Sequence, residues 1–115
     1  MSGSIDAEVI ESLKELGGED DPGLFQELVD VFLTDTPPRL EAMTEAVANG
    51  DAEALMTAAH SLKSSAANMG ALHLSALCRQ LEAQGREGNH AMGDDVAAAK
   101  QEFETVARLL REACR

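Results

Sequence analysis

Tryptophan and tyrosine are missing from this sequence altogether, and phenylalanine occurs only three times. A core without large aromatics must be filled by Ala, Leu, Val and Met, a palette that suits close-packed helices better than a β-sandwich. Cysteine is scarce too: Cys78 and Cys114 are the only two, too few to suggest a disulfide framework. Cys78 falls on an apolar helical stripe and reads as a buried thiol. No signal-peptide pattern is visible, and no apolar run approaches the roughly 18 residues of a membrane span, so the cytoplasm is the expected compartment. Basic residues are outnumbered, nine Lys and Arg against 21 Asp and Glu, for a net charge of −12. An acidic surface repels phosphate backbones and anionic lipid heads, so neither nucleic acid nor membrane is expected among the partners.

What remains is enough for one domain, expected to span residues 1–115. The length is 115 residues, of which 44% are hydrophobic. The charge is uneven along it. Residues 1–59 hold 14 acids and 2 bases, and residues 87–115 hold 6 acids and 4 bases. Between them, residues 60–86 hold Lys63, Arg79 and Arg86 against Glu82 alone. The one net-positive segment therefore begins at His60, as a site that meets an anionic partner would require.

The punctuation is that of a helical bundle. Ser4 or Asp6 opens a first short helix that ends at Gly17-Gly18. Asp21-Pro22 supplies an N-cap and a first-turn proline for a second helix through about Thr34, with Leu24, Leu28, Val31 and Phe32 on its apolar face. Thr36-Pro37-Pro38 is expected to break or kink it, because proline lacks an N–H and restricts the preceding residue. Leu40, Met43 and Val47 resume the pattern up to Asn49-Gly50. Asp51 caps the next helix, whose Leu55, Ala59, Leu62, Ala66 and Met69 step by 4, 3, 4 and 3 along one seam before Gly70. Leu74, Leu77, Cys78 and Leu81 mark a further helix, expected to stop near Gly85 or Gly88. Residues 85–93 read as a loop. The last helix opens near Asp94 or Asp95, with Val96, Ala99, Phe103, Val106, Leu110 and Ala113 on its seam. The expected fold is all-α: an antiparallel four-helix bundle with an additional short N-terminal helix.

His60 lies roughly 140° from the centre of its seam at the 100° per residue of an α-helix. It should face solvent, with Met56, Thr57, Lys63, Ser64 and Ala67 as its neighbours three, four and seven residues away. Beyond His60 this face is small apart from Lys63, so another protein can approach the ring, and Lys63 stands one turn on to neutralise an arriving anion. Glu82 and Arg79 share a flank of the following helix, Glu82 about 80–90° from its seam, from where a side chain can reach a neighbouring helix. Imidazole, with an unperturbed pKa of about 6.5, is a competent nucleophile near neutral pH. Phosphoryl transfer asks mainly for positioning and nearby cations. On pattern alone, a single helix histidine is usually just a solvated residue, and Lys63, Arg79 and Glu82 can be ordinary surface charges worth little each.

The run from His60 through Leu62-Lys63-Ser64, Gly70, Leu74 and Cys78 to Leu81-Glu82 resembles the signature of histidine phosphotransfer domains. The match is tight over 23 residues. The Phe25–Phe32 helix, the proline pair and the Asn49-Gly50-Asp51 turn extend the likeness to the whole chain. The resemblance implies that His60 is a phosphoacceptor exchanging a phosphoryl group with aspartyl phosphates of response-regulator receiver domains. It implies that Lys63 supports the phosphate and Glu82 orients the imidazole, while Met56, Thr57, Ser64, Ala67 and Arg79 meet the partner. Ser64 stands where many members have Gly, which still permits close approach but adds a hydroxyl that can narrow the choice of receiver. Gly70 reads structurally, as a helix end or a close helix contact. With no Gly-rich phosphate loop and no Walker pattern, the chain is expected to be a monomeric phosphocarrier without independent turnover. It should need no cofactor of its own, with any Mg²⁺ belonging to the receiver. A hybrid sensor kinase is the expected upstream partner.

Two other readings are compatible with a bundle. One is a helical adaptor or inhibitor that binds a signalling partner without being phosphorylated, since fold does not fix function. The other is a carboxylate-bridged metal enzyme. Glu87-Gly88-Asn89-His90 matches Glu-x-x-His, but such sites need two copies on helices, and this one sits in a Gly-rich stretch. His73 has no ligand partner at suitable spacing.

Overall fold

A computed structural model of the chain describes residues 4–88 and 93–114. Among these residues five α-helices follow one another: α1 (Ala7–Gly17), α2 (Leu24–Asn49), α3 (Ala52–Asn68), α4 (Leu72–Arg86) and α5 (Gly93–Ala113). Helices α2 to α5 form a four-helix bundle in which α3 pairs with α4 and α2, and α5 closes the ring against α2 and α4. Short connections make chain neighbours antiparallel. The α3–α4 pairing is the most extensive in the molecule.

The expected core is largely the observed one. Leu55, Ala59, Leu62, Ala66 and Met69 are all buried, and so are Leu74, Cys78 and Leu81 of α4 and Val96, Ala99, Val106 and Leu110 of α5. Phe32 of α2 meets Phe103 of α5 edge to face, with ring centroids 5.9 Å apart. Caps act where expected at two helices. The Asp6 carboxylate accepts from the Glu8 N–H at 2.9 Å and Asp51 from the Ala54 N–H at 3.0 Å. Helix α1 is tied to the α3–α4 turn, where the Asp6 N–H donates to the Gly70 carbonyl at 2.8 Å. Gly70 serves both purposes foreseen for it. It follows the end of α3 with φ +76°, and a Cβ there would come within 3.0 Å of the Val9 Cβ.

Helix α2 departs from expectation at three points. It runs through Pro37 and Pro38 without a break. Both prolines are exposed, so the carbonyls they leave without backbone donors lie on the wet side of the helix, while Phe32, Thr36, Leu40 and Met43 are held in the core. The buried Thr36 hydroxyl donates to the Phe32 carbonyl at 2.7 Å, so its polarity is satisfied within the helix. The second departure is the start: Gly23, not Asp21, is the N-cap, without a side-chain bond, and Pro22 belongs to the preceding turn. The third is the buried stripe, which is Phe25, Val29 and Phe32, while Val31 is exposed.

Helix α4 ends at Arg86, between the Gly85 and Gly88 expected to mark its stop, but Gly85 itself has a different role. It is helical and buried. A Cβ on Gly85 would lie 2.9 Å from the Ala52 carbonyl oxygen and 3.1 Å from Met56. Glycine is there because α3 and α4 approach too closely for any side chain. Of the loop expected at 85–93, Gly85, Arg86 and Gly93 are instead helical, and residues 89–92, Asn89 and His90 among them, lie outside the described residues.

Candidate functional site

His60 is on the outward face of α3, its side chain 60% exposed. Its Nδ1 lies 2.7 Å from Oε2 of Glu82, which reaches across from α4. Glu82 is one of three buried polar residues among those described, with its side chain only 6% exposed. Lys63 Nζ donates to its Oε1 at 2.6 Å, and Arg86 Nη2 to its Oε2 at 3.2 Å. Both oxygens of this nearly buried carboxylate are thus engaged by protein groups. Lys63 does most to hold Glu82 below the ordinary carboxylate range, the hydrogen bond from His60 adds to it, and burial opposes both.

An ionised carboxylate only accepts. The ring nitrogen facing it must therefore carry the hydrogen, so the neutral imidazole has its proton on Nδ1 and its lone pair on Nε2. Positive charge developing on a ring that attacks through Nε2 would be met at Nδ1 by the carboxylate. The arrangement orients the exposed ring and leaves Nε2 as the nitrogen with a free lone pair, the one able to attack an electrophile.

The geometry of this pairing comes from the helices beneath it. The Ser75 hydroxyl donates to the Lys63 carbonyl at 2.9 Å, and Gly85 lets α4 lie against Ala52 and Met56. These contacts fix α4 against α3 on either side of the His60–Glu82 level. Two open grooves run along this part of α3, and His60 lines neither. One, of about 400 Å³ between α3 and α4, includes Lys63, Ser64, Ala67, Leu72 and Arg79 in its lining. The other, of about 450 Å³ between α2 and α3, includes Arg39, Thr57 and Ser61. Thr57, Ser64 and Ala67 are exposed on α3 and Arg79 on α4, and Met56 is half-buried at the helix contact.

Two site expectations are adjusted. Lys63 is not freely exposed: its side chain is 29% exposed and its ammonium is engaged with Glu82. The second cation at the carboxylate is Arg86, which the sequence reading passed over, whereas Arg79 lines the groove. The signal for Arg86 was present in its position four residues after Glu82, one helical turn on. Among the described residues no group of three or more His, Cys, Asp or Glu could hold a metal ion, and no helix is long and apolar enough to cross a membrane. Cys78 is a buried free thiol whose pKa is pushed up to about 12 by burial, and it is unsuited to chemistry.

Comparison with known proteins agrees with this geometry. The Hpt domain family model matches residues 27–113. No curated protein matches significantly. Among solved structures, the crystal structure of histidine-containing phosphotransfer protein B (HptB) from Pseudomonas aeruginosa PAO1 is similar over 99% of this chain and 96% of that one. The sequence identity is 32% and the TM-score 0.88. A bundle of this form, a matched family model over most of its length and a histidine presented on its outer face lead to one assignment: the chain belongs to the Hpt domain family, the histidine phosphotransfer proteins of two-component phosphorelays.

Proposed function

We propose that His60 is the phosphoacceptor, taking a phosphoryl group from the aspartyl phosphate of one receiver domain and passing it to another. Nε2 attacks phosphorus, the N–P bond forms, the acyl-phosphate P–O bond breaks, and the aspartate leaves as a carboxylate. Glu82 keeps the Nδ1 proton in place and offsets the charge on the ring, while Lys63 supports the phosphoryl oxygens. Met56, Thr57, Ser64, Ala67 and Arg79 form the surface on which the receiver settles. The chain acts as one monomeric domain and a carrier without turnover of its own. It draws any Mg²⁺ from the receiver, and a hybrid sensor kinase stands upstream.

The observation that carries this reading is the 2.7 Å contact between Nδ1 of an exposed histidine and a buried carboxylate, which leaves Nε2 as the free nucleophile. The test is incubation with a phosphorylated receiver domain, followed by mapping of the acid-labile label. The parent protein should be labelled at His60. His60→Gln should lose all labelling while its circular dichroism stays helical. Labelling that persists in His60→Gln would move the acceptor elsewhere, and binding without any labelling would favour a plain adaptor.

A further inference from the structure

The Glu82 carboxylate has more partners than orientation of one imidazole requires. Its Oε2 is shared by His60 Nδ1 at 2.7 Å and Arg86 Nη2 at 3.2 Å, while Lys63 holds Oε1 at 2.6 Å. The two cations stand on opposite sides of the His60–Glu82 pair along the bundle. Lys63 lies towards Ser75, and Arg86 follows Gly85 at the Ala52–Met56 contact. Lys63 is one helical turn from His60, so a phosphoryl group on the ring falls within reach of its ammonium. That group brings between one and two negative charges. Lys63 then has two anions to serve, and it is the partner that does most to keep the buried Glu82 ionised. If Lys63 leaves, the carboxylate retains the ring and one cation.

From this we infer that Arg86 is a positioning residue which holds Glu82 on the His60 ring while Lys63 turns to the phosphoryl group. The Lys63–Glu82 pair is the resting arrangement, and the Arg86–Glu82 pair is the one the phosphorylated protein depends on. The inference rests on the phosphocarrier reading of His60. Nothing covalent changes in the exchange: one ammonium moves between two anions. In the resting protein Arg86 is partly redundant, because its side chain is 66% exposed and Lys63 already occupies the carboxylate. Its contribution should therefore appear on phosphorylation.

The test compares the parent, Arg86→Ala and Arg86→Lys as full chains. Each is phosphorylated with phosphoramidate, and the His60 signal is identified by ³¹P NMR through its loss in His60→Gln. Arg86→Ala should lower the melting temperature of the phosphorylated form more than that of the resting form. It should also shift the transfer equilibrium with a receiver roughly two- to five-fold towards the receiver, the size expected of one partly exposed ion pair. Arg86→Lys should restore much of both. In the resting protein, Arg86→Ala should disturb the His60 imidazole ¹⁵N shifts more when combined with Lys63→Ala than alone. Equal destabilisation of both forms, or a transfer equilibrium unchanged from the parent, would overturn the role of Arg86. Failure of the parent itself to take label at His60 would overturn the carrier reading, and this inference with it.

Discussion

Two glutamates tie neighbouring helices together in this bundle, and they do so on very different terms. Glu41 of α2 accepts from Lys100 of α5 at 3.0 Å, with the glutamate exposed and the lysine half-buried. Glu82 of α4 meets α3 at similar distances, but its carboxylate is buried and holds three donors. An exposed pair is screened, gains little over hydration, and leaves both side chains free to part. A buried carboxylate cannot return to water without opening the helix contact, so it must keep its donors, and in keeping them it sets the tautomer and direction of His60. The same chemical pair is decoration in one place and an orienting device in the other, and burial makes the difference.

Glu82→Gln should disturb this comparison most. The amide can present its oxygen or its nitrogen to the ring, so the Nδ1–H tautomer is no longer enforced and a charge-assisted bond is lost. Phosphoryl acceptance should slow by about 10- to 100-fold, as expected from about 1.5–3 kcal/mol for such a bond. Stability should fall much less, because Lys63 and Arg86 can both reach water. Stopped-flow transfer from a receiver and thermal melting separate the two effects.

Gly85→Ala attacks the packing that brings Glu82 to His60. The added methyl meets the Ala52 carbonyl oxygen and Met56, and backbone cannot give way as a flexible side chain would. Overpacking should outweigh the better helix propensity of alanine, for a net destabilisation of about 1–2 kcal/mol, read by urea titration. Transfer should slow with it as α4 is displaced.

Acid should convert Glu82 towards the Glu41 condition without mutation. Its folded-state pKa lies below the unfolded one, so the stability it contributes is fully present above the ordinary glutamate value of about 4.3 and is lost as pH falls through the folded value. The stability difference between the parent and Glu82→Gln should therefore shrink below about pH 4 in pH-dependent urea titrations. A difference that grows on acidification would contradict this assignment.

The smallest effect belongs to the exposed pair. Glu41→Ala should cost less than about 1 kcal/mol, fade further in salt, and leave transfer unchanged. A loss comparable with Gly85→Ala would mean that burial is not what separates the two glutamates.

Much of the site was legible before the fold was known. The seam of α3 repeats so regularly that the outward direction of His60 follows from counting, and the position of Glu82 on the flank of the next helix follows the same way. Reading failed where a residue's role depends on something not adjacent in the chain. Gly85 marked a helix end nearby, but its packing role on the Leu74–Cys78–Leu81 seam was not legible, because the backbone of Ala52 that requires it to be bare lies 33 residues earlier. Pro37 and Pro38 read as a break or kink because local propensity opposes a helix there, and of the two the break does not occur: tertiary burial of Phe32, Thr36, Leu40 and Met43 carries the helix through.

The sequence by itself determined the class of fold, the seams of α3 and α5, and the face on which His60 is displayed, because these depend on 3.6-residue periodicity within single helices. Tertiary structure alone decided that Lys63, His60 and Arg86 share one carboxylate. That convergence depends on the level at which α4 lies against α3, and periodicity describes the faces of a helix but not the height at which two helices meet.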